Sequence, residues 1–145
     1  TIEPDDPVGP RCLQLETAMG AAIGCFDGAQ AIRVSRDRFT PVKTTNDLLS
    51  LWSDMHETTE GARVRAVDPE AKRQLEIDLD RRFFATVDDL SLRFPNGAPS
   101  LVKCRRLRVE GDHRFGADVR VVGDVRLVND SADPVVVEAG TLLEG

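Results

Sequence analysis

Hydrophobic positions recur at helical spacing in two segments of the amino-terminal half of the chain. The first segment predicts a helix over residues 13–26, with an apolar face formed by Ala18, Met19, Ala22, Ile23 and Phe26. The second predicts a helix that begins at Thr44, because Thr44 and Asp47 fit a capping box that satisfies N–H groups at a helix start. Its predicted buried stripe consists of Leu48, Leu49, Leu51, Trp52 and Met55.

The alternation of apolar and polar residues predicts strands elsewhere. Residues 31–34 and 75–79 alternate as strands do, whereas residues 57–70 are polar and predict a loop around one short strand. Thr86 and Asp89 fit a second capping box, which predicts a helix that ends at Pro95-Asn-Gly97.

A six-residue repeat begins at Leu107 and reads LRVEGD, HRFGAD, VRVVGD and VRLVND. Residues two apart in a strand face the same side, so each hexapeptide offers two inward side chains. These are Leu107, His113, Val119 and Val125 in one phase, and Val109, Phe115, Val121 and Leu127 in the other. Corner residues that tolerate a tight bend follow each strand, so the pattern predicts a parallel β-helix that residues 131–134 interrupt and residues 135–143 resume.

Four arginines, each in the second place of a hexapeptide, are expected on the outer faces of these coils. Only Arg108 and Arg126 lie one full coil apart, so Arg114 and Arg120 do not join them in one basic patch. This spacing argues against a nucleic-acid surface and favours solvated side chains. His113 lies in an inward phase and is expected to be packed there, although hexapeptide acyltransferases use a histidine as a base.

Composition narrows the range of functions. The chain has 145 residues, of which 41% are hydrophobic and 30% charged, and this suits one compact domain or two small units. A net charge of −6 argues against nucleic acid or anionic membranes as partners. Three cysteines without a CxxC pair and only two histidines favour a reducing, cytoplasmic setting over a disulfide framework or a metal cluster.

Lys43 is the leading candidate for chemistry, because it directly precedes the predicted helix start at Thr44. Free N–H groups and a lysine at a helix start together suit a phosphate group. A solvated surface lysine is the commoner explanation of the spacing alone. A structural role is also the commoner explanation for the other candidates. These are Arg36 and Arg38 as surface charges, Glu16 and Thr17 as first-turn residues, and Gly20 and Gly24 as packing positions.

Two long motifs carry a family resemblance, Leu15-Glu-Thr-Ala-Met-Gly-Ala-Ala-Ile23 and Arg36-Asp-Arg-Phe-Thr-Pro-Val-Lys-Thr-Thr-Asn-Asp-Leu-Leu49. They resemble the LETAxGAAI and RxRFxPVKTTxDLL segments of eukaryotic-like UTP–glucose-1-phosphate uridylyltransferases, which are also called UDP-glucose pyrophosphorylases. The resemblance continues through the Phe83-Phe84 region into the hexapeptide tail.

The resemblance implies a fold and an activity. It implies the α+β edge of a Rossmann-like nucleotidyltransferase domain over residues 1–80, with a connector, and a helix followed by a short single-stranded left-handed parallel β-helix over residues 81–145. The family makes UDP-glucose and pyrophosphate from UTP and glucose 1-phosphate with Mg²⁺. Its PVKTT lysine, here Lys43, is counted as catalytic and contacts the nucleotide phosphates.

The resemblance also implies what these residues lack. The family's glycine-rich nucleotide loop, uridine contacts, sugar contacts and metal-holding aspartate precede the matched region, so the Mg²⁺ ligands are expected outside these residues. We therefore expect a fragment that is inactive alone, and the absence of an initiator methionine fits this expectation. Three alternatives stay open: a β-helix module for assembly of homo-oligomers, a uridylyltransferase for another sugar 1-phosphate, and a hexapeptide acyltransferase.

Overall fold

A computed structural model describes residues 23–35 and 38–145. The chain divides into two units, Thr1–Val34 and Ser35–Gly145. In the described part of the first unit, residues 23–25 form a short 3-10 turn and Gly28 takes a positive φ of 74°. The rest of the predicted helix over residues 13–26 lies outside the described residues.

The helices of the second unit begin at well-formed caps. Helix α1 spans Thr45–Trp52, α2 spans Pro69–Gln74 and α3 spans Val87–Arg93. Both predicted capping boxes are confirmed, at Thr44 for α1 and at Thr86 for α3. None of the helices in these ranges combines the length and apolar character that crossing a bilayer would require.

Eight strands complete the second unit. They are β1 (His56–Thr59), β2 (Arg63–Ala66), β3 (Glu76–Leu79), β4 (Ser100–Glu110), β5 (His113–Phe115), β6 (Arg120–Val128), β7 (Val135–Val137) and β8 (Leu142–Glu144). Strands β1 and β2 form an antiparallel hairpin, whereas a four-stranded sheet in the order β3-β4-β6-β8 and a pair β5-β7 are parallel.

The parallel strands stack successive coils of the chain on one another. Arg108 lies opposite Arg126, eighteen residues later, as the hexapeptide spacing predicts for one full coil. His113 lies opposite Val135, an offset of 22 residues, because the exposed loop 131–134 adds four residues to that coil. These ladders are parallel coils, and the left-handed sense of a β-helix stays a prediction.

Side chains of the two inward phases fill these coils. Leu107, His113, Val119, Val125, Val109, Phe115 and Val121 are buried, and Leu127 packs against them half-buried. Phe115 stacks on Phe94 with ring centroids 4.6 Å apart, and this contact joins the coils to the end of α3. The core continues through Leu90 and Phe84 to Leu49 of α1. Strand β3 pairs with β4, so hydrogen bonds join the two predicted domains across their boundary at residue 80. That domain boundary stays a prediction.

Two local predictions were wrong. Residues 31–34 form no strand, and the side chain of Ile32 is 87% exposed. A strand needs a neighbour for its backbone hydrogen bonds, and no described residue pairs with this segment. Residues 57–70 form the β1–β2 hairpin and the start of α2 rather than a loop around one strand. Gly61 and Ala62, both with positive φ, form the hairpin turn.

Candidate functional site

The start of α1 is built by one carboxylate. Oδ2 of Asp47 accepts hydrogen bonds from the backbone N–H of Lys43 at 3.0 Å, from that of Thr44 at 2.9 Å and from the Thr44 hydroxyl at 2.9 Å. In return, the N–H of Asp47 donates to Oγ1 of Thr44 at 3.3 Å. The cap therefore fixes the backbone of Lys43 directly at the amino end of the helix, where the partial charge is positive.

Several effects act on the charge of the Asp47 carboxylate. Burial raises its pKa, but the hydrogen bonds from Lys43 and Thr44, together with the positive charge of Lys72, hold the pKa below its ordinary value. Asp47 is therefore ionised at neutral pH, and its carboxylate accepts the hydrogen bonds of the cap.

Lys43 lies at the rim of an open depression of about 420 Å³. The depression lies between α1, α2 and β3, and it is lined by Lys43, Thr44, Asn46, Asp47, Ser50, Lys72, Leu75, Glu76 and Ile77. Lys43 also borders a second depression of about 430 Å³, which includes the apolar Val42, Leu48 and Val87. The Lys43 side chain is thus exposed beside two concave surfaces.

The acidic side chains of the first depression have partners among the described residues, whereas the side chains of its lysines do not. Glu76 forms an ion pair with Arg106 at 2.7 Å, and Asp47 is held in the cap. In the described residues, Lys43 and Lys72 form no side-chain hydrogen bond or ion pair. Lys43 and Lys72 are therefore the cations of this depression that form no ion pair with a described residue, and the ionised Asp47 and Glu76 lie beside them.

Side chains from elsewhere in the second unit hold α1 and its following turn in place. The N–H of Leu79 donates to Oδ1 of Asn46 at 3.2 Å, which ties α1 to β3. Asp54 accepts hydrogen bonds from the Ser100 hydroxyl at 2.5 Å and from the N–H of Leu101 at 2.8 Å. Both contacts link the helix to the parallel sheet, so Lys43 is presented from a fixed support.

The other predicted site residues are not assembled with Lys43. Glu16, Thr17, Gly20 and Arg36 lie outside the described residues. Gly24 has no described atom within 4 Å of an added Cβ, so no close packing is formed there by the described residues. Arg38 is exposed and lines a separate depression of about 280 Å³ with Arg63.

Lys72 is the lining residue that the sequence analysis missed. It lies on α2, a helix that was not predicted, because the polar pattern assigned residues 57–70 to a loop around one strand and residues 71–74 to no element. The start of α2 did carry a local signal, because Asp68 caps the helix through the N–H groups of Glu70 and Ala71 and Pro69 occupies the first helical position. What no local pattern contains is the placement of Lys72 beside α1.

The repeat residues with candidate chemistry are structural. His113 is 3% exposed, with Nδ1 3.4 Å from the carbonyl oxygen of Gly111, so it is packed as expected. Arg108, Arg114, Arg120 and Arg126 are all exposed, and both Arg108 and Arg126 pair with Glu110 at 2.8 Å. A buried histidine without a cleft does not support the acyltransferase alternative.

The described residues do not fit a metal ion. Across residues 23–35 and 38–145, no group of three or more His, Cys, Asp or Glu side chains is arranged to hold one. The carboxylates closest to Lys43 are engaged in a cap and in an ion pair. The chemistry that these residues offer is therefore positive charge and hydrogen-bond donors.

Comparisons with known proteins identify the family. The sequence model of the family described as UTP–glucose-1-phosphate uridylyltransferase matches residues 3–122. Enzymes of that name from Musa acuminata and Solanum tuberosum are 38% and 36% identical, each over 97% of this chain. The chain spans about 30% of the length of these relatives.

Solved structures give the same result. A UDP-glucose pyrophosphorylase from Leishmania major is 41% identical with a TM-score of 0.71, and the match covers 90% of this chain and 27% of that one. A UDP-glucose phosphorylase from Trypanosoma brucei is 40% identical with a TM-score of 0.72, over 99% of this chain and 31% of that one. A variant of the Leishmania enzyme was solved with UDP-glucose bound.

Proposed function

Because the chain belongs to the UTP–glucose-1-phosphate uridylyltransferase family, we propose that it forms part of an enzyme that makes UDP-glucose and pyrophosphate from UTP and glucose 1-phosphate. The observation that carries the proposal is the exposed Lys43, held by a capping box at the start of α1 beside an open depression. The family motif assigns this lysine to the nucleotide phosphates, and its surroundings suit that role.

Lys43 acts on the phosphate groups in this proposal. A phosphate oxygen of glucose 1-phosphate attacks the α-phosphorus of UTP, and pyrophosphate leaves from the opposite side. Negative charge builds up on the transferring and leaving oxygens, and an ammonium group held in place stabilises it. The cap residues Thr44 and Asp47 hold the backbone of Lys43 in place, which limits the reorganisation needed at the moment of reaction.

Mg²⁺ belongs to the proposed whole enzyme and not to these residues. When bound, a divalent cation neutralises phosphate charge in reactions of this class. The described residues offer no suitable group of ligands for it. We propose that its ligands, with the uridine and sugar contacts, lie in the larger part of the relatives' sequence outside the match. The sugar specificity is set there as well, and another sugar 1-phosphate is the alternative substrate.

The chain alone is expected to lack turnover. Purified 145-residue chain is mixed with UTP, glucose 1-phosphate and Mg²⁺, and UDP-glucose is measured by chromatography. We expect no product, since the nucleotide loop and the metal ligands of the family are not in this sequence. UDP-glucose formation by this chain would contradict the proposal that it works as part of a larger catalytic unit.

Lys43 is tested in the longer polypeptide that carries these residues. Lys43→Ala is expected to lower kcat at least 100-fold, since loss of one well-placed electrostatic group costs about 2.7–4 kcal/mol in transition-state stabilisation. Lys103→Ala removes an exposed lysine in β4 and serves as the control, with turnover unchanged. Unchanged turnover of Lys43→Ala would remove the residue from the mechanism.

We also propose that the parallel coils form a left-handed β-helix with a role in assembly. The eighteen-residue register and the buried phases support coiling, and the resemblance supplies the hand. Light scattering tests whether this unit has a role in assembly. A stable homo-oligomer would support that role, and a monomer would contradict it. The two described cysteines, Cys25 and Cys104, are free, and this fits the cytoplasm, where we propose that the protein acts.

A further inference from the structure

A buried hydroxyl without a partner lines the depression beside Lys43. Ser50 is 2% exposed, and its Oγ accepts and donates no hydrogen bond within the described residues. A buried unpaired hydroxyl costs about 1–3 kcal/mol, so such groups are rare unless a bound group or water satisfies them. The backbone carbonyl of Ser50 is engaged with the Ser53 hydroxyl and the His56 ring, but its side chain is not.

Lys72 lies across the same depression from the start of α1. It is half-buried on α2 and lines the depression with Lys43 and Ser50. Its charge is felt at the Asp47 carboxylate, which is bonded to the backbone of Lys43. No described acidic side chain forms an ion pair with Lys72, because Glu76 pairs with Arg106 and the ionised Asp47 accepts the hydrogen bonds of the cap.

The helix end between the two lysines adds hydrogen-bond donors. The N–H groups of Thr45 and Asn46, the first two residues of α1, have no acceptor among the described residues. Donors of this kind and the positive helix end favour an anion. The depression thus combines two cations, the free N–H of Asn46 and an unsatisfied buried hydroxyl, and the carboxylates of Asp47 and Glu76 line it as well. Thr45 lines the second depression beside Lys43.

We propose that Lys72 is a second phosphate ligand, which binds the polyphosphate chain of the nucleotide, or pyrophosphate, together with Lys43, with Ser50 donating from the floor of the depression. The proposal rests on the proposed function and adds residues to it. A diphosphate suits the arrangement better than a single phosphate, because two lysines from separate segments line the depression and each can contact one of two neighbouring phosphoryl groups. Lys72 is a binding residue here, and the chemical step stays with Lys43.

Calorimetric titration of the 145-residue chain with inorganic pyrophosphate tests this at low ionic strength. Lys72→Gln is expected to weaken binding about tenfold, which is the loss of one charge-assisted contact of about 1.4 kcal/mol. Lys43→Gln is expected to weaken it to a similar extent, whereas Lys103→Gln keeps wild-type affinity. Urea unfolding of each variant confirms that the chain is folded.

Ser50→Ala gives a second measurement, in which the affinity is expected to fall although the stability does not. Removal of an unsatisfied hydroxyl leaves the free chain equally stable or more stable, whereas pyrophosphate affinity falls about threefold if the hydroxyl donates to the ligand. Titrations with UTP and orthophosphate identify the source. Dependence of UTP binding on Lys72 indicates the nucleotide tail, and dependence of pyrophosphate binding alone indicates the leaving group.

The outcomes separate this proposal from the proposed function. Wild-type affinity of Lys72→Gln with weakened Lys43→Gln overturns the role of Lys72 and leaves Lys43 in place. Absence of pyrophosphate binding by the wild-type chain overturns the two-lysine site, whereas the turnover of Lys43→Ala in the longer polypeptide reports on the proposed function independently.

Discussion

The stacked coils and the margin around the start of α1, residues 39–47, are held in place by different interactions. In the coils, side chains of the two inward phases are buried, and every parallel strand has a hydrogen-bonded neighbour. At the margin, Lys43 is exposed beside Phe39 and Val42, which are 56% and 43% exposed, and the backbone is held by the capping box of Thr44 and Asp47. The coils carry most of the packing, and the margin carries the available charge.

The difference teaches which substitutions report on stability and which on binding. A side chain in the coils has many close neighbours, so its loss leaves a cavity that the stack cannot close. A side chain at the margin is largely solvated in this chain, so its loss is expected to change the affinity for anions more than the free energy of unfolding. Four substitutions test this division.

Phe115→Ala is expected to have the largest effect on the free energy of unfolding. Phe115 is 2% exposed and stacks on Phe94, so truncation removes about 3–5 kcal/mol. Urea denaturation followed by circular dichroism measures the change. Phe26→Ala removes a ring that is 68% exposed and is expected to change the free energy by less than about 0.5 kcal/mol. Equal losses in the two variants would contradict the division.

Gly111→Ala tests how closely neighbouring coils approach. An added Cβ lies 2.0 Å from the carbonyl oxygen of Asn129, and the glycine has a φ of 82°. Backbone strain and the clash together are expected to remove about 2–4 kcal/mol. Gly97→Ala is the matched control, because its φ is 95° and no atom lies within 4 Å of the added Cβ. A smaller loss in Gly97→Ala isolates the effect of the clash in the same urea experiment.

The coils were predictable from sequence to a degree that the margin was not. Val109, Phe115 and Val121 recur every six residues. Because the same local pattern repeats, the inward-facing positions can be assigned without knowing which strand lies next to them. The pairing of Arg108 with Arg126 followed from that spacing alone. The capping boxes at Thr44 and Thr86 were readable for the same reason, since residues three apart in sequence form the whole contact.

Long-range placement was not predictable. Lys72 and Lys43 are far apart in sequence, and they line one depression because the tertiary fold brings α2 beside the start of α1. The strand predicted over residues 31–34 failed because alternation does not supply a neighbouring strand. The unsatisfied hydroxyl of Ser50 is likewise a property of packing, and nothing in the sequence around it marks it.

Asp80→Asn tests a contact between the end of β3 and the coils, and it adds a pH dependence. Hydrogen bonds from the Arg82 side chain and from the N–H of Gly111 hold the pKa of Asp80 far below its ordinary value of 3.8, although burial opposes the shift. Because the folded pKa is lowered, the stabilisation is complete above pH 4 or so and declines as the pH falls below about 3.8.

The expected loss for Asp80→Asn at neutral pH is about 1–3 kcal/mol, and the Gly111 contact contributes most of it because Arg82 is 75% exposed. Urea unfolding across the acidic range should show the wild type and the variant converging as the pH falls. Asp88→Asn, at an exposed carboxylate in the first turn of α3, serves as the control. A difference between wild type and Asp80→Asn that stays constant with pH would contradict the assignment.

Thr44→Ala has the smallest expected effect on stability and separates the two regions most directly. Loss of the Thr44 hydroxyl removes half of the capping box and about 1 kcal/mol of the free energy of unfolding. Thr86→Ala removes the same half of the box at α3, so urea denaturation should give a similar loss. Thr86 lines only the second depression beside Lys43, whereas Thr44 also lines the depression that contains Lys72. Pyrophosphate titration should therefore show weaker binding only for Thr44→Ala, because only that cap holds the backbone of Lys43. Equal affinities in the two variants would mean that the cap stabilises α1 without positioning the lysine.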